Sequence, residues 1–163
     1  MIDHKRLSLD PDAQRRLVDS HMAGLRQRYP YQFPQTLPDY MLDPEPGWLP
    51  IIDALCHDVD RLLPAEVRIE FQWTQIKEKF GTLRAYWSLG PLFYDVQCPD
   101  GVVSGTVPRQ RPDQYEVIWD AIDQRIQSAT AESARTCGEC GAPGTLRRLR
   151  WVRTLCDRHA DRV

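Results

Sequence analysis

The chain has 163 residues, 42% hydrophobic and 27% charged, with a net charge of −2, which fits one compact domain or one domain with a small appendage. No apolar run approaches the roughly 20 residues of a membrane helix, and the N-terminal MIDHKRLSLD has no apolar signal-peptide core. Five cysteines, three of them in metal-ligand spacing, argue against a disulfide framework, so a cytoplasmic protein is expected, with no membrane partner.

A first helix is predicted from Asp10 to about Tyr29. Asp10 can cap it, Pro11 suits its first position, and Pro30 stops it. Leu17, Val18, Met22 and Leu25 form a narrow apolar stripe. The segment that follows, YPYQFPQTLPDYMLDPEP, is read as an ordered wrapping stretch, because Tyr31, Phe33, Leu37, Tyr40 and Met41 need burial. A second helix spans about Trp48 to Leu63, with Ile51, Ile52, Leu55, Cys56, Val59 and Leu62 on its apolar face.

The period then changes from helical to two. Val67, Ile69, Phe71 and Trp73 alternate with polar residues, which predicts a half-buried strand. KEKFGT reads as a turn in which Gly81 permits the bend and Phe80 packs, and a second strand follows over Leu83–Leu89. A third strand is expected near 92–97. The residues CPDGVVSGTVPRQRP read as a loop. The last long helix is predicted from Asp113, capped by that residue with Glu116 reaching back. Its stripe is Val117, Ile118, Ala121, Ile122, Ile126 and Ala129.

The C-terminal residues TCGECGAPGTLRRLRWVRTLCDRH carry the strongest motif. Cys137 and Cys140 have two residues between them, as do Cys156 and His159, and fifteen residues separate the pairs. Each short spacing lets a tight turn place two ligands on one side of a tetrahedron, and the interval suits a small hairpin. Three thiolates and one imidazole favour zinc, with iron the alternative, and leave no position for water, so the expected role is structural. Leu149, Trp151 and Leu155 are expected to dock this ribbon on the body. Arg148 and Arg150 are expected to face outward, with Arg147, Arg153 and Arg158 nearby. Residues 135–163 hold seven Arg against three acids, +4, whereas residues 1–134 carry −6. Such a tail could grip phosphates, or its charges could simply be solvated or pair with the acidic body.

Three blocks, GWLPIIDAL at 47–55, QIKEKFGTLRAY at 75–86, and AESARTCGECGAPG with WVRTLCDRH at 131–144 and 151–159, carry a resemblance. They resemble a family of small uncharacterised proteins encoded in bacteriophage and bacterial genomes. The resemblance covers about half the chain and implies zinc binding and a phage or prophage origin, hence a host cytoplasm. It transfers an architecture rather than an activity. The aromatic segment at 30–46 and the loop at 98–112 depart from that pattern.

Within QIKEKFGTLR, the residues Lys77, Glu78, Lys79 and Arg84 are a candidate recognition surface; the plainer alternative is a turn with ordinary charges. Asp53, His57 and Asp60 share a helix face that solvation alone accounts for. Cys56 reads as a core thiol, Cys98 is isolated, and His4 and His21 have no ligand spacing. There is no phosphate-cradling glycine loop, two-histidine zinc helix or serine elbow. The expectation is an α+β protein, with helices packed on a small antiparallel sheet in a body over 1–134 and a zinc ribbon over 135–163. Its leading role is a non-enzymatic protein-interaction factor, phage-derived and acting on a host protein. A nucleic-acid-binding protein that uses the arginine-rich ribbon comes next, followed by an enzyme whose site assembles from scattered residues.

Overall fold

The computed structural model describes residues 10–90, 93–106, 110–148 and 150–161. Helix α1 (Pro11–Arg28) begins where the Asp10 carboxylate accepts the Ala13 N–H at 2.8 Å. Val18, Met22 and Leu25 are buried, and Leu17 is exposed. The Pro- and aromatic-rich segment folds back on α1: Phe33 and Leu37 enter the core, and the Arg26 guanidinium donates to the carbonyls of Pro34 and Leu37. Tyr40 is exposed, contrary to expectation, because a 3-10 turn over Asp39–Met41 passes the inward position to Leu42. The two-residue strand β1 (Leu42–Asp43) leads to a 3-10 turn at Pro46–Trp48 and to α2 (Leu49–Leu62). That helix buries Ile51, Ile52, Leu55, Cys56 and Val59, each apolar side chain contributing about 1.5–3 kcal/mol.

The alternation at Val67 and Ile69 misleads. Residues Ala65–Arg68 form a short helix, α3, and Ile69 is 80% exposed. The end of α2 decides this, because its last carbonyls need donors. Arg68 supplies them, donating to Asp60 O at 2.9 Å and Leu63 O at 3.2 Å. The strand β2 therefore runs over Phe71–Lys79, into the first half of the segment read as a turn, and pairs antiparallel with β3 (Thr82–Leu89). A bulge between Trp73 and Gln75 shifts the pleat, so Phe71 and Trp73 and then Ile76 face the core. The strand β1 adds to β2 in parallel, Leu42 beside Ile76.

The β2–β3 turn is two residues, Phe80 and Gly81, with φ of 53° and 77°. Left-handed backbone at both positions matches the twist of the flanking strands. Phe80 does not pack as expected and is 67% exposed. A second hairpin follows: β4 (Phe93–Cys98) pairs with β5 (Gly101–Thr106). The segment expected as a loop thus contains a strand, because Pro99 and Asp100 supply a two-residue turn before the β-branched Val102 and Val103. Leu92 lies outside the described residues.

Helix α4 spans Glu116–Ser133. The expected cap by Asp113 is not formed, since that residue lies in a 3-10 turn opened by Pro112. Val117 is exposed, and Trp119 takes the core position instead. Its indole N–H donates to Pro112 O at 3.1 Å and its ring packs on Trp87, which sets the rotation of the helix. Farther along α4, the Ser133 hydroxyl oxygen accepts the Leu83 N–H at 2.8 Å, and the Thr130 hydroxyl donates to Leu83 O at 3.0 Å. These two side chains close the open edge of β3 at that point. The chain ends in a hairpin, β6 (Thr145–Arg148) with β7 (Val152–Leu155), and a short helix, α5 (Asp157–Ala160). The class is α+β, with five α-helices among the described residues and small, mainly antiparallel sheets. Among the described residues no helix is long and apolar enough to cross a membrane.

Candidate metal centre

Two local structures bring the four predicted ligands together. After α4, the chain forms a knuckle in which Gly141 N–H donates to Cys137 O at 2.9 Å, with Gly141 at a left-handed φ of 73°. That turn directs the Cys137 and Cys140 sulfurs to one side. The second pair comes from the junction of β7 and α5, where the amides of His159 and Ala160 both donate to Cys156 O. One helical turn carries the His159 ring back over Cys156. Gly138 N–H donates to Thr154 O at 2.9 Å, which joins the knuckle to β7.

All four ligand atoms lie within 4.8 Å of one another. Cys140 Sγ is 3.8 Å from Cys156 Sγ, and His159 Nδ1 is 3.4 Å from Cys137 Sγ and 3.2 Å from Cys156 Sγ. A zinc tetrahedron with ordinary bond lengths has edges of about 3.8 Å between sulfurs and about 3.6 Å between sulfur and nitrogen. The donor set therefore fits a tetrahedral metal ion. Cys137 and His159 are buried, and Cys140 and Cys156 are half-buried. It is the one group of this kind among the described residues.

The thiols differ in acidity. Burial pushes Cys140 up to about 12, with the neighbouring thiols adding to the rise. At Cys156 burial acts in the same direction, but the His159 amide and the side chains of Cys137, His159 and Cys140 outweigh it and bring the thiol down to about 7. A metal ion held here would have to displace the Cys140 proton, because only thiolates ligate.

Beyond the ligands lies a charged chain that sequence reading missed. Glu139, between the two knuckle cysteines, places Oε2 3.6 Å from His159 Nε2. Its other oxygen accepts from Arg153 Nη1 at 3.1 Å, and Arg153 Nη2 reaches both oxygens of Glu45 at 3.1 and 3.0 Å. Burial raises the Glu45 carboxyl above its ordinary range, and Arg153 opposes the rise. A carboxylate behind a ligating imidazole fixes the ring and raises its basicity. In the sequence Glu139 was visible within CGEC, but Glu45 lies 94 residues away, and only folding brings it to the site.

The same region joins the C-terminal hairpin to the rest of the chain. Gly47 N–H donates to Gly138 O at 2.5 Å, the Trp48 indole donates to Thr136 O at 2.8 Å, and the Thr154 hydroxyl donates to Gly81 O at 2.6 Å. Of the residues expected to dock the ribbon, Leu155 is fully buried, Leu149 lies outside the described residues, and Trp151 is 70% exposed. Docking thus rests on backbone contact and hydrogen bonds more than on apolar anchors, which is why the aromatic is not needed there.

The other candidate residues are dispersed. Lys77 and Arg84 are directly opposite in the β2–β3 register, half-buried on the face away from Ile76 and Ala85. Glu78 faces the other way and accepts the Gly81 N–H at 2.6 Å, so it braces the turn. Lys79 is exposed, its ammonium 5.4 Å from the Phe80 ring. Arg148 and Arg150 are exposed, as expected, but Arg147 pairs with Asp157 and Arg153 is the ion-pair centre described above. Asp53 contacts His21 Nε2 at 3.0 Å and Asp60 accepts from the Tyr31 hydroxyl at 2.7 Å, so with His57 they form no common site. Cys56 is buried, which raises its thiol, and Cys98 is exposed. His4 lies outside the described residues. Comparison with family models, with curated proteins and with solved structures gave no match.

Proposed function

We propose that the protein is a small zinc-binding, non-enzymatic interaction factor that engages a protein partner in the cytoplasm. In this reading it is phage-derived, as its sequence blocks suggest, and acts on a host protein. One observation carries the reading: four protein donors at tetrahedral spacing sit where the ribbon meets the body. A shell filled by protein leaves no position for substrate or water, so the ion's work is to hold structure. The binding free energy of such an ion is folding free energy for a segment too short to build its own core. The role that remains for an ion-braced ribbon is to present a rigid surface.

Purified protein should contain one zinc per chain by elemental analysis. Cys140→Ser should lower that stoichiometry and leave the segment after α4 open to protease. Metal-free protein whose C-terminal segment is intact and protease-resistant would sink the reading. The ribbon's exposed Arg148, Arg150 and Trp151 favour a second reading, a nucleic-acid-binding tail. Submicromolar, steeply salt-dependent binding to a defined DNA or RNA at physiological salt would establish it in place of the first.

A further inference from the structure

The arginines of the ribbon divide by strand face. Arg147 and Arg153 are opposite in the β6–β7 register and point to the side where Asp157, Glu139 and Glu45 neutralise them. Leu146 and Arg148 alternate with them and occupy the other face, beside Thr154. That face meets the β2–β3 turn: a Cβ built on Gly81 would overlap Leu146 Cδ1, and Thr154 bonds to Gly81 O. Lys79 and Phe80 lie at that turn in the chain, and Arg150 and Trp151 lie at the end of the β6–β7 hairpin. Among the described residues none of Lys79, Arg148 and Arg150 takes part in an ion pair, although the chain is acidic overall and supplies partners for the neighbouring arginines. Phe80, Leu146 and Trp151 are 67%, 48% and 70% exposed.

We infer that Lys79, Phe80, Leu146, Arg148, Arg150 and Trp151 form one docking strip whose occupant is an acidic peptide segment of another protein with apolar anchors. The inference rests on the interaction-factor reading above and names its partner class. Charge complementarity selects the acid: three cations without an ion-pair partner among the described residues accompany three exposed apolar side chains. Trp, Phe and Arg in this mixture are the residues that dominate protein interfaces. Residues 1–134 carry −6, which repels a long polyanion more than a short acidic segment. The strip is also preorganised. A two-residue turn fixes Phe80, Thr154 ties that turn to the ribbon, and the metal site holds the ribbon in place, so little ordering remains to be done on binding.

The test uses zinc-loaded full-length protein and a random 16-residue peptide library in a display selection. Enriched sequences should combine Asp or Glu with Leu, Phe or Trp, and one of them, synthesised with a fluorophore, should bind with an affinity that falls as salt rises. The double variant Arg148→Glu, Arg150→Glu and the single variant Trp151→Ala should each weaken that binding tenfold or more while zinc content and melting temperature stay at wild-type values. Phe80→Ala serves as an independent anchor variant with the same expectation. Enriched peptides without acids, or acidic peptides that bind all three variants as well as wild type, would overturn the inference. So would a fluorescein-labelled oligothymidine that outcompetes the peptide through the same arginines, which would assign the strip to nucleic acid. Zinc-free wild-type protein with a protease-resistant tail would instead refute the parent reading, whatever the peptides do.

Discussion

Replacing Gly47 by alanine probes the contact between the turn before α2 and the cysteine knuckle without altering any of the four clustered Cys and His residues. A Cβ at this position would overlap the Cys137 carbonyl oxygen and lie 2.5 Å from Gly141 N and 2.7 Å from Gly138 O. All three are backbone atoms of the knuckle, so no side-chain rotation relieves the clash, and the knuckle must move by about 1 Å to restore van der Waals distance. Two hydrogen bonds are lost with that shift, Gly47 N–H to Gly138 O and the Trp48 indole to Thr136 O. Each contributes about 0.5–1.5 kcal/mol. The overpacking itself costs about 1–3 kcal/mol. The sum is about 2–6 kcal/mol, and at about 2–4 °C per kcal/mol for a chain of this size the melting temperature should fall by 4 °C at the least, and more if the knuckle is rigid. Because the four ligands all lie within the ribbon, zinc stoichiometry should stay at one while scanning calorimetry records the loss. A variant melting within 1 °C of wild type would refute the close approach, and loss of zinc with unchanged body stability would show that Gly47 serves the ligand shell instead.

Glu139→Ala removes the carboxylate behind His159 and should weaken zinc binding about 10–100-fold in a competition assay with a chelating dye, with Glu139→Gln losing less; equal affinities in all three proteins would show that the carboxylate does not act through the imidazole. Ser133→Ala leaves the buried Leu83 N–H without its acceptor and should cost about 1–3 kcal/mol in urea unfolding with zinc content unchanged; a neutral result would mean the edge of β3 is held by other groups. Protons compete with the ion, since the Cys140 thiol, held up to about 12 by burial, must be ionised on ligation. Apparent zinc affinity should therefore rise with pH, roughly tenfold or more per unit between pH 6 and 8. An affinity flat across that range would place Cys140 outside the shell.

The four clustered Cys and His residues were legible in the chain because each pair is a local structure. Two residues between ligands let one turn set both, and fifteen between the pairs leave only the joining hairpin to be supplied. Helices α1 and α2 were legible for the same reason: caps, prolines and a 3.6-residue stripe act within a few turns. The errors fell where a contact beyond the element itself outweighed local pattern. Val67 and Ile69 alternate like a strand, but the carbonyls ending α2 claimed Arg68 and made a helical turn. Asp113 has the spacing of a cap, but Trp119 set the rotation of α4 by packing on Trp87 and bonding to Pro112. Phe80 was expected to pack and Trp151 to dock the ribbon, and both are exposed, because a two-residue turn and a hairpin end leave no second surface to cover them. Which ribbon arginines are neutralised depends on the β6–β7 register and on Glu45, 108 residues from Arg153. Residue types and spacings determine the coordination chemistry, since ligation is local, whereas the docking of the ribbon and the charges left unpaired depend on contacts between residues far apart in sequence, which no local pattern encodes.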